Sequence, residues 1–156
     1  MSTVVARVTT LHPGDVVLGL RGERLDTLLG SCVAILLTDP RRTVGVMCHI
    51  VHCRSATDAG RDSTAHADAA WRAMQRLLAE QGLAPQLCVA HVIGGGDMFS
   101  QVAPRLTVGD DNAAWALQAL SEAGIRVQSV DVGGTVYRQV RWTIGAAEPE
   151  VVSVPL

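Results

Sequence analysis

The sequence predicts an α/β protein, a layered α/β sandwich in which mixed, mostly antiparallel sheets pack with two main helices. Short β-branched runs separated by turn signals dominate the first half of the chain, and strands alternate with two amphipathic segments in the second half. Such runs bury their apolar faces best as packed layers. At 156 residues, with no linker or internal repeat, the chain is expected to form a single domain over residues 1–156.

Turn signals divide the first half of the chain into strands. Residues 4–9 and 15–20 are short and β-branched, and a turn over residues 12–15, His-Pro-Gly-Asp, separates them. Residues 21–24 are interpreted as a polar loop that leads to the next apolar run. Residues 54–64 are rich in Ser, Thr, Asp and Gly without periodicity, which predicts a connecting loop, with a flap over a nearby site as the alternative.

Two apolar runs after the polar loop of residues 21–24 predict a β-hairpin. Residues 33–37 and 44–51 are its strands, and residues 39–42, Asp-Pro-Arg-Arg, are its turn. Pairing residues symmetrically about the centre of this turn places Cys32 directly opposite His49. The hairpin therefore predicts a thiol and an imidazole side by side at its open end, as a cysteine nucleophile and its base require.

Helical periodicity in the second half predicts two amphipathic helices. The first begins at Ser63 or Thr64 and ends at about Gln81, with one apolar stripe facing the core. The second runs from about Asp110 to Ala123 and has a similar stripe. The remaining apolar runs are predicted to be strands, over residues 87–93, 125–132, 137–144 and 151–154.

Composition limits the classes of function that are open to the chain. The net charge is −2, and the aromatic residues are three Trp, one Tyr and one Phe, so neither a basic nucleic-acid surface nor a base-stacking platform is indicated. No apolar run approaches the ~18 residues of a membrane span, and the N-terminus lacks the layout of a secretory signal. We therefore expect a cytoplasmic protein with four reduced cysteines, no nucleic-acid partner and no membrane insertion.

Cys32 is the candidate nucleophile. A free thiol has a pKa of about 8.5, so a neighbouring imidazole is needed to take its proton at neutral pH. Gly30, two residues earlier, lets a substrate approach the backbone closely. The structural alternative is that Cys32 is a small buried hydrophobe and His49 an ordinary strand residue.

A C-H-x-x-H-C pattern raises the question of zinc, because its members are all of ligand type: Cys48, His49, His52 and Cys53. Successive strand side chains point to opposite faces, so the four groups converge only if the segment is helical, which its β-branched neighbours disfavour. We therefore expect no metal site. The glycines of residues 94–96 lack the spacing of a dinucleotide or P-loop motif, and a close backbone approach explains them better.

Residues 27–33, Thr-Leu-Leu-Gly-Ser-Cys-Val, with a histidine 17 positions after the cysteine, resemble the chemoreceptor glutamine deamidases, the CheD family. Other segments resemble the family's motifs in the same order along the chain: His12-Pro-Gly-Asp15, Ala67-Asp-Ala-Ala70, Ile93-Gly-Gly-Gly-Asp-Met-Phe99, Val108-Gly109 with Asn112, and Asp131-Val-Gly-Gly134 with Arg138. These matches span nearly the whole chain. The resemblance implies an α/β sandwich shared with the catalytic domains of cytotoxic necrotizing factor toxins, which agrees with the fold predicted above.

The resemblance implies that Cys32 is the catalytic nucleophile and His49 its base. A threonine just upstream of the cysteine completes the family's triad. Its place is held here by Asp26, with Thr27 beside it, so both residues are candidates for orienting His49.

Four small residues are the candidate substrate-binding positions. Backbone amides around Gly30 and Ser31 would stabilise an oxyanion, and the Ser31 hydroxyl is either a helper or a turn residue. Gly94 and Gly95 are implied to line the cleft. Tyr137 stands where the family usually has Gly, and its bulk is expected either to narrow the cleft or to pack on the sheet.

The reaction implied by the resemblance is hydrolysis of glutamine side chains to glutamate in the cytoplasmic helices of chemoreceptors, with ammonia released through a thioester on Cys32. No metal or organic cofactor is expected. Two alternatives stay open: a binding module that regulates chemotaxis through a CheC-type phosphatase, and transfer of the acyl group to an amine instead of water.

Overall fold

The computed structural model describes residues 7–53, 63–98 and 108–156. The helices are α1 (Ala67–Glu80) and α2 (Val108–Glu122), and a 3-10 turn covers Pro85–Leu87. The strands are β1 (Val8–Leu11), β2 (Val16–Leu20), β3 (Arg24–Leu29), β4 (Val33–Thr38), β5 (Val44–Cys48), β6 (Val89–Gly94), β7 (Arg126–Val132), β8 (Val136–Thr143) and β9 (Glu150–Pro155).

These elements stack in three layers. Helices α1 and α2 cover one face of a sheet of order β2-β5-β4-β6-β7, which we call the inner sheet. The other face of the inner sheet packs on a sheet of order β1-β3-β8-β9, which we call the outer sheet. Strand pairing is antiparallel except between β1 and β3 and between β6 and β7. The predicted layered sandwich of mixed, mostly antiparallel sheets and two main helices is confirmed.

Strand β4 contributes to both apolar cores because its side chains alternate between the two faces of the inner sheet. Val33, Ile35 and Leu37 pack under the helices, whereas Ala34 and Leu36 pack against the outer sheet. Every residue of β4 is buried, which explains why the strand is a continuous apolar run in the sequence.

The predicted hairpin of β4 and β5 forms, but its predicted register is wrong by two residues. Val33 pairs with Ile50, so the position opposite Cys32 is Val51 and not His49. Because side chains alternate with a period of two, this shift leaves Cys32 and His49 on the same face as diagonal neighbours.

The loop between β4 and β5 explains the shift in register. Arg42 lies in the left-handed region at φ 54°, which lengthens the loop on the β5 side. The Asp39 carboxylate accepts hydrogen bonds from the N–H groups of Thr43 (2.7 Å) and Val44 (3.0 Å) and from the Thr43 hydroxyl (2.7 Å). These bonds keep residues 39–43 out of the ladder, so a turn symmetric about Pro40 and Arg41 does not form.

Strand β3 was not predicted from the sequence. Residues 21–24 were expected to be a loop that leads directly to the hairpin, whereas Arg24 begins a strand. Its side chains alternate, with Leu25, Thr27 and Leu29 buried and Leu28 exposed on the other face. Polar Arg24 and Asp26 share the outward face with Leu28, which hid the strand in the sequence pattern.

Some predicted segments fall outside the described residues. These are residues 4–6 of the predicted first strand, residues 54–62 of the predicted connecting loop, and Phe99 at the end of one motif. Helix α1 begins at Ala67, about one turn later than predicted. In the part of the chain that the structure describes, no helix combines the length and the hydropathy that crossing a bilayer requires.

We expect Asp39→Ala to lower the free energy of unfolding by about 2–3 kcal/mol at pH 7, because it removes hydrogen bonds to a carboxylate. Burial raises the pKa of Asp39, but the bonds from Thr43 and Val44 outweigh burial and lower it overall. The contribution is therefore present above the unfolded pKa of about 3.9 and is lost as pH falls through the folded pKa. Urea unfolding at several pH values measures it.

Arg41→Ala is the matched control for this substitution, because Arg41 is an exposed side chain in the same loop. It should change stability by less than about 0.5 kcal/mol. A stability difference between wild type and Asp39→Ala that persists unchanged at pH 3 would contradict the expected role of the carboxylate.

Candidate active site

The candidate active site lies where the chain crosses from the outer sheet to the inner sheet. Thr27 is in β3 of the outer sheet, His49 follows β5 of the inner sheet, and Cys32 lies in the short connection between β3 and β4. Thr27 and His49 are each 2% exposed, whereas Cys32 is partly exposed and packs against the core between the sheets. The structure thus gathers a hydroxyl, an imidazole and a reachable thiol between two layers.

The orientation of His49 follows from its contact with Thr27. Thr27 Oγ1 lies 2.7 Å from His49 Nδ1 and 2.9 Å from the carbonyl oxygen of Leu11, its partner residue in β1. A carbonyl only accepts, so the Thr27 hydroxyl donates to Leu11 and its oxygen accepts the proton of Nδ1. We therefore assign the tautomer of His49 with hydrogen on Nδ1, which leaves Nε2 as a free base.

The backbone of His49 is held by the turn after β1. Gly14 N–H donates to the His49 carbonyl at 2.9 Å, and His49 N–H donates to the Asp15 carbonyl at 3.1 Å. Gly14 adopts φ 89°, a left-handed conformation that favours glycine. The turn was predicted from the sequence, but its contact with His49 carries no sequence signal, because it is a long-range contact between backbone groups.

Asp26 does not reach His49. It lies on the opposite face of β3 from Thr27, and its carboxylate accepts hydrogen bonds from Arg24 Nε (2.9 Å) and Nη2 (3.0 Å). In the sheet register Asp26 pairs with Arg141 of β8. Of the two candidates for orienting the imidazole, the structure brings only Thr27 into contact with it.

The glycines at the end of β6 support the connection that carries Cys32. Gly95 N–H donates to the Cys32 carbonyl and Gly96 N–H to the Gly30 carbonyl, both at 2.9 Å. Gly94 has φ 116°, and a Cβ there would overlap the carbonyl oxygen of Cys32. Gly94 and Gly95 were predicted to line the cleft, and the structure places them directly behind the candidate nucleophile, with the Gly95 amide already bonded.

Asn112 is a residue of the site whose role has no signal in the sequence beyond a motif at the start of a helix. It is fully buried near the start of α2, and its Nδ2 donates to the carbonyl oxygens of Ser31 (3.2 Å) and Val51 (3.0 Å). The sequence placed it only in a motif at the start of a helix. Its partners belong to the two segments that carry Cys32 and His49.

With Ser31 held in this way, the carbonyls of Gly30, Ser31 and Cys32 all accept a hydrogen bond from another segment. The N–H groups of Ser31 and Cys32 donate to no other described residue. This conformation of the connection fixes the carbonyls and, among the described residues, leaves the amides of Ser31 and Cys32 without an acceptor.

Arg138 supports the glycine segment from the side of the outer sheet. It is 4% exposed, and it donates from Nε to the Asp131 carboxylate at 3.1 Å and from Nη1 to the Gly94 carbonyl at 3.3 Å. The ion pair with Asp131 compensates for the burial of the guanidinium charge.

Tyr137 borders the connection from outside. A Cβ on Gly30 would lie 3.3 Å from Tyr137 Cε1 and 3.1 Å from Met98 Sδ. The tyrosine ring is 41% exposed on the outward face of the outer sheet. Tyr137 therefore flanks Gly30 from the solvent side.

Burial sets the protonation states of the thiol and the imidazole. It raises the pKa of the Cys32 thiol above its ordinary value. It also lowers the pKa of His49 from 6.5 to about 4, although the charge of Asp15 acts in the opposite direction. Both groups are neutral at pH 7, and no hydrogen bond between the thiol and the ring is formed within the described residues. The thiol proton would therefore leave during attack and not before it.

The four members of the C-H-x-x-H-C pattern do not meet at one point. Cys48 is buried under the helices, where burial raises its pKa to about 12, and His49 faces the outer sheet. His52 is exposed, and its ring centroid lies 5.4 Å from that of His66. In the ranges that the structure covers, no group of His, Cys, Asp and Glu side chains has the arrangement of a metal site.

The fold and the site define a class of protein: a three-layered α/β sandwich that presents a cysteine beside a threonine-oriented histidine where two sheets meet. The model of the family CheD, described as CheD chemotactic sensory transduction, matches residues 53–151. The solved chain of a hypothetical protein, YfiH of Bacillus licheniformis, is a distant likeness, with a TM-score of 0.47 and 14% identity over 75% of this chain and 50% of that chain.

Curated relatives agree with the family match. A protein of Methanococcus vannielii named "Probable chemoreceptor glutamine deamidase CheD" is 33% identical over 133 residues, which cover 85% of this chain and 86% of the relative. A protein of the same name from Maridesulfovibrio salexigens is 31% identical over 83% of this chain and 82% of its own. "Probable chemoreceptor glutamine deamidase CheD 1" of Chromobacterium violaceum is 32% identical, with 87% and 72% covered. The chain belongs to the CheD family.

We expect His49 to stay neutral between about pH 5 and 8, with its proton on Nδ1, because burial lowers its pKa to about 4. Nitrogen-15 NMR of the imidazole reports both the midpoint and the tautomer, and His49→Gln identifies the resonance. An unfolded histidine titrates near 6.5, so His49 should make the fold lose stability as pH falls from about 6.5 towards 4. A midpoint near 6.5, or a proton on Nε2, would contradict the assignment.

Proposed function

We propose that the chain is a protein-glutamine deamidase that hydrolyses glutamine side chains in the cytoplasmic helices of chemoreceptors to glutamate. The observation that carries the proposal is the hydrogen bond from His49 Nδ1 to Thr27, which provides a base with a free Nε2 on the face shared with Cys32. The names of the curated relatives support the substrate class. A location in the cytoplasm is part of the proposal, because the proposed substrate helices are cytoplasmic.

In the first half of the proposed reaction, Cys32 Sγ attacks the carbonyl carbon of the glutamine side chain as its proton passes to His49 Nε2. The C–N bond then breaks while His49 returns the proton to the departing nitrogen. The products are ammonia and a thioester on Cys32. The neutral state of both groups suits this order of events, because the base must be unprotonated when attack begins.

Water completes the reaction. His49 Nε2 takes a proton from water as its oxygen attacks the thioester carbon, and the C–S bond breaks as the proton is returned to the thiol. The net change consumes one water and releases one ammonia for each glutamine. These steps require no cofactor.

Two groups are proposed to stabilise charge that develops during these steps. The amides of Ser31 and Cys32 would bind the tetrahedral oxyanion, and each such donor is worth roughly 3–4 kcal/mol. The carboxylate of Asp15 would favour the imidazolium, because its charge already raises the pKa of His49 against the effect of burial. Gly94 and Gly95 are proposed to act indirectly, by fixing the conformation of the Cys32 connection.

A binding module is the second candidate function, and two observations favour it. The thiol of Cys32 has a raised pKa, and Tyr137 flanks Gly30 beside it. Such a module would bind without turnover, with a CheC-type phosphatase as the partner implied by the resemblance of the sequence.

Mass spectrometry of chemoreceptor peptides incubated with the protein tests the first proposal. We expect the wild type to convert specific glutamines to glutamate, Cys32→Ala to give no detectable conversion, and His49→Ala to be slower by at least about 100-fold. Both variants should keep the wild-type circular dichroism spectrum. Full activity of Cys32→Ala would rule out the thioester, and peptide binding by an inactive wild type would favour the binding module. An amine-substituted product formed in the presence of a primary amine would indicate transfer to that amine.

Adjacent positions on opposite faces of β3 provide a matched pair of variants. We expect Thr27→Val to lower kcat by about 100-fold, because it keeps the size of the side chain but removes the acceptor that orients His49. Asp26→Asn should stay within about 2-fold of wild type, since Asp26 contacts Arg24. Thr27→Ser should retain most of the activity. A larger loss from Asp26→Asn than from Thr27→Val would show that the orienting role belongs to Asp26 and not to Thr27.

A further inference from the structure

We infer that Asn112 is a positioning residue that holds the segment of Cys32 against the segment of His49, an inference that rests on the proposed function. Its amide group donates to the carbonyls of Ser31 at 3.2 Å and Val51 at 3.0 Å. One planar group thereby fixes the separation of the two carbonyls, with both of its hydrogens committed.

The inference explains how the two segments stay together beyond the end of the hairpin. The last backbone bonds between them join Val33 and Ile50, at 3.0 Å and 2.8 Å. Cys32 and Val51 come next, where the ladder has stopped. The side chain of Asn112 links Ser31 to Val51 at this point. Its two hydrogen bonds replace the backbone pair that is missing there.

The choice of asparagine at this position costs stability. Asn112 is 0% exposed, and its Oδ1 is buried without a hydrogen-bond partner in the described structure. A rotated amide would instead aim the oxygen at the two carbonyls, so the partners decide its orientation. An apolar side chain would avoid the unsatisfied oxygen, as the buried Ala113, Ala116 and Leu120 of the same helix do. Asn112 is therefore explained better by its two donors than by packing.

The first turn of α2 also packs on the glycine segment that supports the Cys32 connection. A Cβ on Gly109 would lie 2.5 Å from the carbonyl carbon of Gly95, so glycine is required for this close approach. Gly95 in turn donates to the Cys32 carbonyl. Gly109 thus packs the start of α2 on the glycine segment behind Cys32, and Asn112 links the connection itself to the segment of His49.

A double-mutant cycle on the alkylation rate of Cys32 by iodoacetamide tests the inference without requiring turnover. The four proteins are wild type, His49→Ala, Asn112→Leu and the double variant, with the modified residue identified by mass spectrometry. We expect His49→Ala to slow alkylation by at least about 10-fold in the wild type but by less than about 2-fold in Asn112→Leu, because the base is no longer aligned with the thiol. Deamidation by Asn112→Leu should show kcat lowered by about 100-fold and KM within about 3-fold.

Ala116→Gly is the matched control, since it weakens the same helix at a buried position without touching either carbonyl. It should leave the effect of His49→Ala on alkylation unchanged, and Asn112→Ser replaces Asn112→Leu if that variant does not fold. Equal effects of His49→Ala in the wild-type and Asn112→Leu backgrounds would overturn the inference and leave the proposed function standing. A wild type that neither deamidates peptides nor responds to His49→Ala would overturn the proposed function, and the inference with it.

Discussion

The hydrogen bond between Thr27 and His49 joins the two sheets at the point where the chemistry is proposed. Both side chains are 2% exposed, so neither can exchange this partner for water without opening the interface between the sheets. The distance between the two sheets must therefore allow the hydrogen bond between Thr27 and His49 to form. At the other end of β5, Gly45 allows the two sheets to approach closely, because a Cβ there would lie 2.6 Å from Trp142 Cη2 of the outer sheet.

The position of the candidate nucleophile follows from the topology. Strands β3 and β4 belong to different sheets, so the short connection between them must lie at the edge of the interface. Its conformation is fixed by donors from the glycine segment after β6 and from the start of α2, not by pairing within a sheet. A thiol on such a connection is partly exposed while its backbone is rigid. This combination is what a preorganised nucleophile requires.

Local patterns in the sequence predicted the layers, the hairpin and the pairing of a thiol with an imidazole on one face. They could not predict the register, because it depends on left-handed Arg42 and on the bonds of Asp39. The error in register does not change the face on which Cys32 and His49 lie, because strand side chains alternate with a period of two residues and the shift is two residues. The choice between Asp26 and Thr27 depends on the alternation of side chains in strand β3. The charged residues on its outward face hide this strand in the sequence pattern.

The remaining features of the site are long-range contacts of backbone groups, which residue types do not reveal. The carbonyl of Leu11 illustrates why they matter. By accepting the hydroxyl proton of Thr27, it forces the threonine oxygen to act as an acceptor towards His49, and so it determines which imidazole nitrogen is basic. An aspartate in place of Thr27 would accept the same Nδ1 proton, but it would bring a charge into the dry interface and stabilise a protonated ring. A neutral hydroxyl instead leaves the low pKa of His49 in place, so the imidazole is unprotonated at neutral pH, as the proposed attack by the thiol requires.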